Sequence, residues 1–203
     1  MRRLTEAWFR FKGIDSRDMG IWLKQMPVRY MPGRNITRKH VSGMDGSCAY
    51  GDMTYNDVKV QLECDLRDES RMAEAAAWLT GSGELVFSDE PNLAYDASIE
   101  REFSRASITP RLTGQRFTVM WICHPFRRMI PEPSPILLTA PGQFVNPGTV
   151  YSLPRLFVTG SGDFSLTINA QTMFFSGVEG GILLDSGLSD TFDLSGSQLM
   201  NDR

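Results

Sequence analysis

Hydrophobic and polar residues alternate along much of the chain with a period of two. From Val58 to Arg67 the apolar set Val58, Val60, Leu62, Cys64 and Leu66 interleaves with Lys59, Gln61, Glu63, Asp65 and Arg67. That pattern predicts an antiparallel strand with one buried face. Ala94 to Phe103 alternates in the same way, with Tyr95, Ala97, Ile99 and Phe103 on one side. Gln115 to His124 is bulky on both faces, Phe117, Val119 and Trp121 against Met120 and Ile122, which predicts a central strand. Glu84 to Phe87 reads as a short strand after a Gly81-Ser82-Gly83 turn. One helix is predicted over Glu69–Thr80. Asp68 is a good N-cap, Met72, Ala75, Ala76 and Leu79 form an i, i+3, i+4, i+7 stripe, and Gly81 ends it.

The pattern breaks at residue 129. Met129 to Gly148 holds five prolines in twenty residues, which removes ladder donors and biases neighbours to extended forms. Short strands follow: Tyr151–Val158, Asp163–Asn169, Thr172–Phe175, Gly181–Asp185 and Thr191–Leu194, separated by Gly, Ser, Asp and Asn. The chain is therefore read as mainly β. Residues 1–128 are a β-rich domain with one helix, 129–148 a Pro-rich connector, and 149–203 a small all-β sandwich.

Composition narrows the class. A chain of 203 residues with 41% hydrophobic and 22% charged residues can bury a core and is neither disordered nor collagenous. The longest strongly apolar stretch, Phe117–Cys123, falls far short of the roughly 20 residues of a spanning helix, so no membrane insertion of its own is expected. The opening MRRLTEAWFRFK has a basic start but no apolar run, so no secretory signal is expected. Three cysteines make no disulfide framework. The net charge of -3 averages unlike parts: residues 1–40 carry ten Lys/Arg and three Asp/Glu, 41–128 nine and fourteen, and 129–203 two and seven. The basic segment shows no RNP-like, zinc-finger or helix-turn-helix pattern, so it suits an acidic protein partner or a solvated face better than sequence-specific nucleic-acid binding.

Catalytic equipment is sparse. The two histidines are His40 and His124. Cys123 and His124 are adjacent, so on a strand they face opposite sides and form no dyad. Glu100 and Glu102 share a strand face with Asp96 and Ser98, a solvated setting for carboxylates. No GxSxG, HExxH, CxxC or GxxxxGK[ST] occurs. No catalytic, cofactor-binding or metal-ligating residue is assigned, and no cofactor. Trp8, Trp22, Trp78 and Trp121 sit in apolar-patterned segments and are expected in the core. Residues 129–203 contain no Trp and only Tyr151 as Tyr, which weakens a carbohydrate-binding attachment module as the alternative function.

The order of several segments resembles the distal tail proteins of long, flexible-tailed phages. They are Phe11-Lys12-Gly13-Ile14-Asp15-Ser16-Arg17-Asp18-Met19-Gly20-Ile21, Arg38-Lys39-His40-Val41-Ser42-Gly43-Met44-Asp45-Gly46, and Ala77-Trp78-Leu79. Gly83-Glu84-Leu85-Val86-Phe87-Ser88-Asp89-Glu90-Pro91-Asn92-Leu93-Ala94-Tyr95-Asp96-Ala97 and Phe117-Thr118-Val119-Met120-Trp121-Ile122-Cys123-His124-Pro125-Phe126 follow. Asn146-Pro147-Gly148-Thr149, Pro154 and Gly160-Ser161-Gly162-Asp163 close the series. The resemblance implies a siphovirus tail-tip or baseplate hub component, structural and not enzymatic. Its N-terminal domain would form a homo-hexameric, tail-tube-like ring, and its C-terminal domain a galectin-like β-sandwich. The partners implied are the tail tube protein on one side and a tail-associated hub or fibre protein on the other. DNA would pass through the lumen without specific binding, and the site of action would be the virion, after synthesis in the host cytoplasm. The 30s–50s segment and the first strand are the expected ring-interface elements. Relatives continue past the last matching stretch with a further turn and strand pair, so the sandwich here is expected to be incomplete.

Overall fold

The computed structural model describes residues 7–99, 104–106, 115–194 and 196. The chain is mainly β and divides into two compact units, residues 1–137 and 138–203. The division falls inside the Pro-rich stretch.

The first unit contains β1 (Phe9–Phe11), β2 (Ile14–Asp15), β3 (Ile21–Leu23), β4 (Arg34–Lys39), β5 (Cys48–Tyr55) and β6 (Val58–Leu66). A 3-10 turn (Glu69–Arg71) and α1 (Met72–Trp78) follow, then β7 (Gly81–Phe87), β8 (Leu93–Ile99), β9 (Ser104–Ala106), β10 (Gln115–Cys123) and β11 (Arg128–Met129). Nine strands form one antiparallel sheet in the order β2-β1-β7-β8-β10-β6-β3, with β11 on β8 and β9 on β10. β10 is interior and pairs β6 without a break from Gln115↔Leu66 to Cys123↔Val58.

The period of two decides which face is buried. Val58, Val60, Leu62, Cys64 and Leu66 are all buried, as are Phe117, Val119, Trp121 and Cys123 opposite them. Each fully buried side chain of this size is worth about 1.5–3 kcal/mol. The helix covers this face. Trp78 stacks on Phe9 with centroids 5.6 Å apart and planes 6° apart, and its indole N–H donates to the Phe11 carbonyl at 3.1 Å. Trp121 meets Phe9 edge-on at 5.3 Å and Phe11 at 6.0 Å.

Three expectations are corrected here. The helix is shorter than Glu69–Thr80: Asp68 caps a 3-10 turn through Ser70 N–H, and the α-helix proper starts at Met72. β7 begins at Gly81, so the glycine segment belongs to the strand. Trp8 and Trp22 are not in the core. Trp22 lies between buried Ile21 and Leu23 and therefore points outward, under the Arg67 guanidinium at 4.3 Å; Trp8 lies beside Arg17 at 5.1 Å. The proposed Phe103 position and the Glu100–Glu102 pair lie outside the described residues, as does the end of the chain from 197.

The second unit contains β12 (Arg155–Thr159), β13 (Gly162–Ile168), β14 (Gln171–Val178), β15 (Gly181–Asp185) and β16 (Asp190–Asp193). β12-β15-β16 form a three-stranded sheet, and β13-β14 a hairpin. Val178, Ile182 and Leu184 are its buried apolar residues, with Leu156, Val158, Phe164, Leu166, Met173 and Phe175 packed around them half-buried. No helix among the described residues is long and apolar enough to cross a membrane.

Candidate functional site

Polar chemistry does not converge anywhere in the described residues. No group of three or more His, Cys, Asp and Glu side chains stands close enough to hold a metal ion. Cys123 is buried and His124 exposed, on opposite sides of the strand end. His124 Nδ1 instead accepts the Phe126 N–H at 3.4 Å. Burial pushes the Cys123 thiol up to about 12 and the Cys64 thiol higher still, so neither supplies a nucleophile at neutral pH.

The features that stand out are surfaces. The first is the outer face of the sheet, where the interleaved charges of the strands pair locally. Arg128 reaches Glu84 at 2.8 Å and Asp96 at 3.1 Å, Lys24 reaches Glu63 at 2.9 Å, and Arg116 reaches Asp65 at 3.0 Å. The hydrogen bond and charge of Lys24 hold the Glu63 carboxyl below its ordinary value. The excess of cations in residues 1–40 dissolves in the same way. Arg10, Arg17, Lys24 and Arg29 sit in ion pairs, and Lys12 donates to the Thr80 carbonyl. Arg38 and Lys39 alone among the described Lys and Arg of this segment have no partner among the described residues.

The second surface is an arm. β4 and β5 pair only with each other, through Ile36↔Gly51, Thr37↔Tyr50, Arg38↔Ala49 and Lys39↔Cys48. Every residue of β4 is exposed. The connecting turn uses Gly43 and Gly46 at φ +82° and +81°, conformations that L side chains avoid, and His40 Nδ1–H donates to the Gly46 carbonyl at 3.1 Å. The root is fixed. Tyr55 packs edge-on against Phe126 at 5.3 Å with the Arg34 guanidinium 4.6 Å above its ring, and Arg29 pairs with Asp89 and Glu90 while lying over Phe87. Beyond the root the arm presents Ile36, Val41, Met44 and Tyr50 to solvent. A concavity on one arm face, lined by Asn35, Thr37, Lys39, Tyr50 and Asp52, is open and holds no buried polar group aimed at a ligand.

The third surface is the Pro-rich stretch, exposed at every position from 131 to 153. In the second unit Phe157 and Phe174 are exposed on separate strand sets, and Phe144 and Tyr151 are exposed ahead of the first strand. Asp185 there is structural. Burial alone raises its carboxyl, but N–H bonds from Leu188 and Gly187 and the Arg155 guanidinium outweigh that and hold it below the ordinary value.

Sequence reading named the 30s–50s segment but missed the hairpin itself. Arg34–Lys39 carries no apolar alternation, because neither of its faces is buried. The only signal was the paired glycines of the turn.

No family model matches the sequence, and no curated protein matches it. The fold nevertheless has a counterpart among solved structures: it is the fold of a phage distal tail protein. The counterpart is the crystal structure of the Dit (gp 19.1) protein of phage SPP1, described as a paradigm of the hub adsorption apparatus in phages that infect Gram-positive bacteria. The two superpose with a TM-score of 0.69 at 15% identity, over 96% of this chain and 85% of that one.

Proposed function

We propose that the chain is a structural protein of a siphophage tail tip. Residues 1–128 form the ring domain of a homo-hexamer that continues the tail tube, 129–148 connect, and 149–203 form a peripheral galectin-like sandwich. One side of the ring meets the tube protein and the other a tail-associated hub or fibre protein. The protein resides in the virion, and its work is done by surfaces and not by catalysis.

The observation that carries this reading is the fold match to SPP1 Dit over 96% of the chain. The arm supports it. A two-stranded hairpin standing alone in water is marginal at best, and three or more strands or a packed face are needed for independent stability. An arm whose β4 is exposed throughout, with apolar side chains and two cations unpaired among the described residues, is therefore suited to a neighbouring subunit. The sheet's outer face also fits a DNA passage. Arg128, Lys24 and Arg116 on it are already paired with carboxylates, which leaves those charges less available to hold passing phosphates.

Native mass spectrometry tests the reading. Six chains of 22.8 kDa give a species near about 137 kDa, and an antibody to the protein labels tail tips. A strictly monomeric protein that is absent from phage particles overturns it.

A further inference from the structure

Residues 131–153 are twenty-three consecutive exposed positions. Ile136, Leu137, Leu138, Phe144, Val145 and Leu153 among them are at least half exposed. Solvated linkers are polar, and a tract this apolar is a surface that another surface covers. Its extent matches one side of a standard interface, roughly 20–30 residues.

The prolines indicate how it is covered. Pro131, Pro133 and Pro135 occupy alternate positions, and residues 132–138 run without turn or bend. In an extended strand, successive residues direct their N–H and C=O to opposite edges, and alternate residues to the same edge. All three missing donors therefore fall on one side. Glu132, Ser134, Ile136 and Leu138 keep complete backbone groups on the other. This is the pattern of an edge strand that pairs on one side only. The complementary feature is the arm. β4 has one neighbour among the described residues, and its six residues are continuous, whereas β5 carries the register irregularity of that pair. Charge agrees. Glu132 is the only charged residue from 131 to 153; it stays largely exposed beside Arg128, 3.6 Å away and itself already held by Glu84 and Asp96, while Arg38 and Lys39 on β4 lack a partner among the described residues.

We infer that Glu132–Leu138 of one copy adds as a third, antiparallel strand to the β4 edge of the next copy's arm, setting Glu132 against Arg38 and Lys39. The inference rests on the ring reading and adds the identity of the arm's seat. Head-to-tail contacts pair two unlike surfaces of one chain, and these two occur in equal number in every copy. The prolines cap the new edge, so the added sheet stops at three strands.

Two consecutive positions test it in the full chain. Ile136→Pro removes a partner-facing N–H and weakens self-association about tenfold or more in sedimentation velocity. Leu137→Pro falls on the side already lacking donors and changes association by less than about twofold. As a second readout, Thr37→Cys with Ser134→Cys in a Cys48→Ser background yields an intermolecular ladder on oxidation. Equal effects of the two prolines, no cross-link, or a cross-link confined to the monomer overturns strand addition while an oligomeric wild type leaves the ring standing. A wild type that is monomeric at every concentration overturns both.

Discussion

The two units bury apolar surface on different scales. In the first, twenty-one buried residues form one cluster between the sheet and α1, led by Trp121, Phe9, Phe11, Phe87 and Phe117. In the second, three buried residues hold the centre, and the aromatic rings around them, Phe164 and Phe175, stay half-buried. A large core defines its fold by packing. A small one depends on its turns and on individual hydrogen bonds, because few side chains are available to repay the entropy of ordering. The first unit should therefore answer to cavity mutations and the second to turn chemistry.

The largest effect is expected in the first unit. Trp121→Ala removes a fully buried ring that touches Phe9 and Phe11 and should cost about 3–5 kcal/mol. All four tryptophans precede residue 129, so indole fluorescence during urea unfolding reads this unit alone. A loss below about 1 kcal/mol would show that the ring is not part of a packed core. Next comes Gly181→Ala in the second unit. Gly181 has φ +148°, and a Cβ there would stand 2.5 Å from the Val158 carbonyl oxygen. The strain alone is worth about 1–3 kcal/mol. Amide exchange across β15 should accelerate while the tryptophan transition stays in place; a shift of both together would erase the distinction between the units.

A pH dependence sharpens the contrast. Asp185 titrates lower in the folded chain than in the unfolded one. Its ionised form therefore stabilises the second unit above about pH 4, and that share is lost as pH falls through the folded value. Asp185→Asn should flatten the acid dependence of amide exchange at Leu188 and Gly187 and leave that of the first unit alone. The smallest effect is chemical. Cys64 and Cys123, buried and with raised pKa values, should stay silent to a thiol reagent until the first unit unfolds, while Cys48 on the arm reacts in the native protein. Native labelling of Cys64 would contradict the core assignment.

What the sequence made legible follows the same division. The period of two placed β6, β8, β10 and β13 and their inward faces, because burial of one face writes itself into every second residue. Trp22 was misplaced because its apolar neighbours Ile21 and Leu23 face the core, and strand geometry turns the residue between them to the opposite side. The start of β7 at Gly81 was hidden by its glycines, which resemble a turn and are held by pairing with Ser98 and Ile99. The arm left almost no trace. With both faces of β4 in solvent, nothing within the chain forces its residues to alternate. The order of short motifs carried the resemblance to tail proteins. Global pattern alone did not, and at 15% identity the shared fold persists mainly in backbone topology.

The central claim is that these exposed tracts are assembly surfaces of a tail-tip ring. Electron microscopy of the purified protein tests it most directly. The account predicts sixfold rings whose averaged density shows each arm seated on the next subunit. Particles that are uniformly monomeric, or rings in which every arm projects free into solvent, would contradict it.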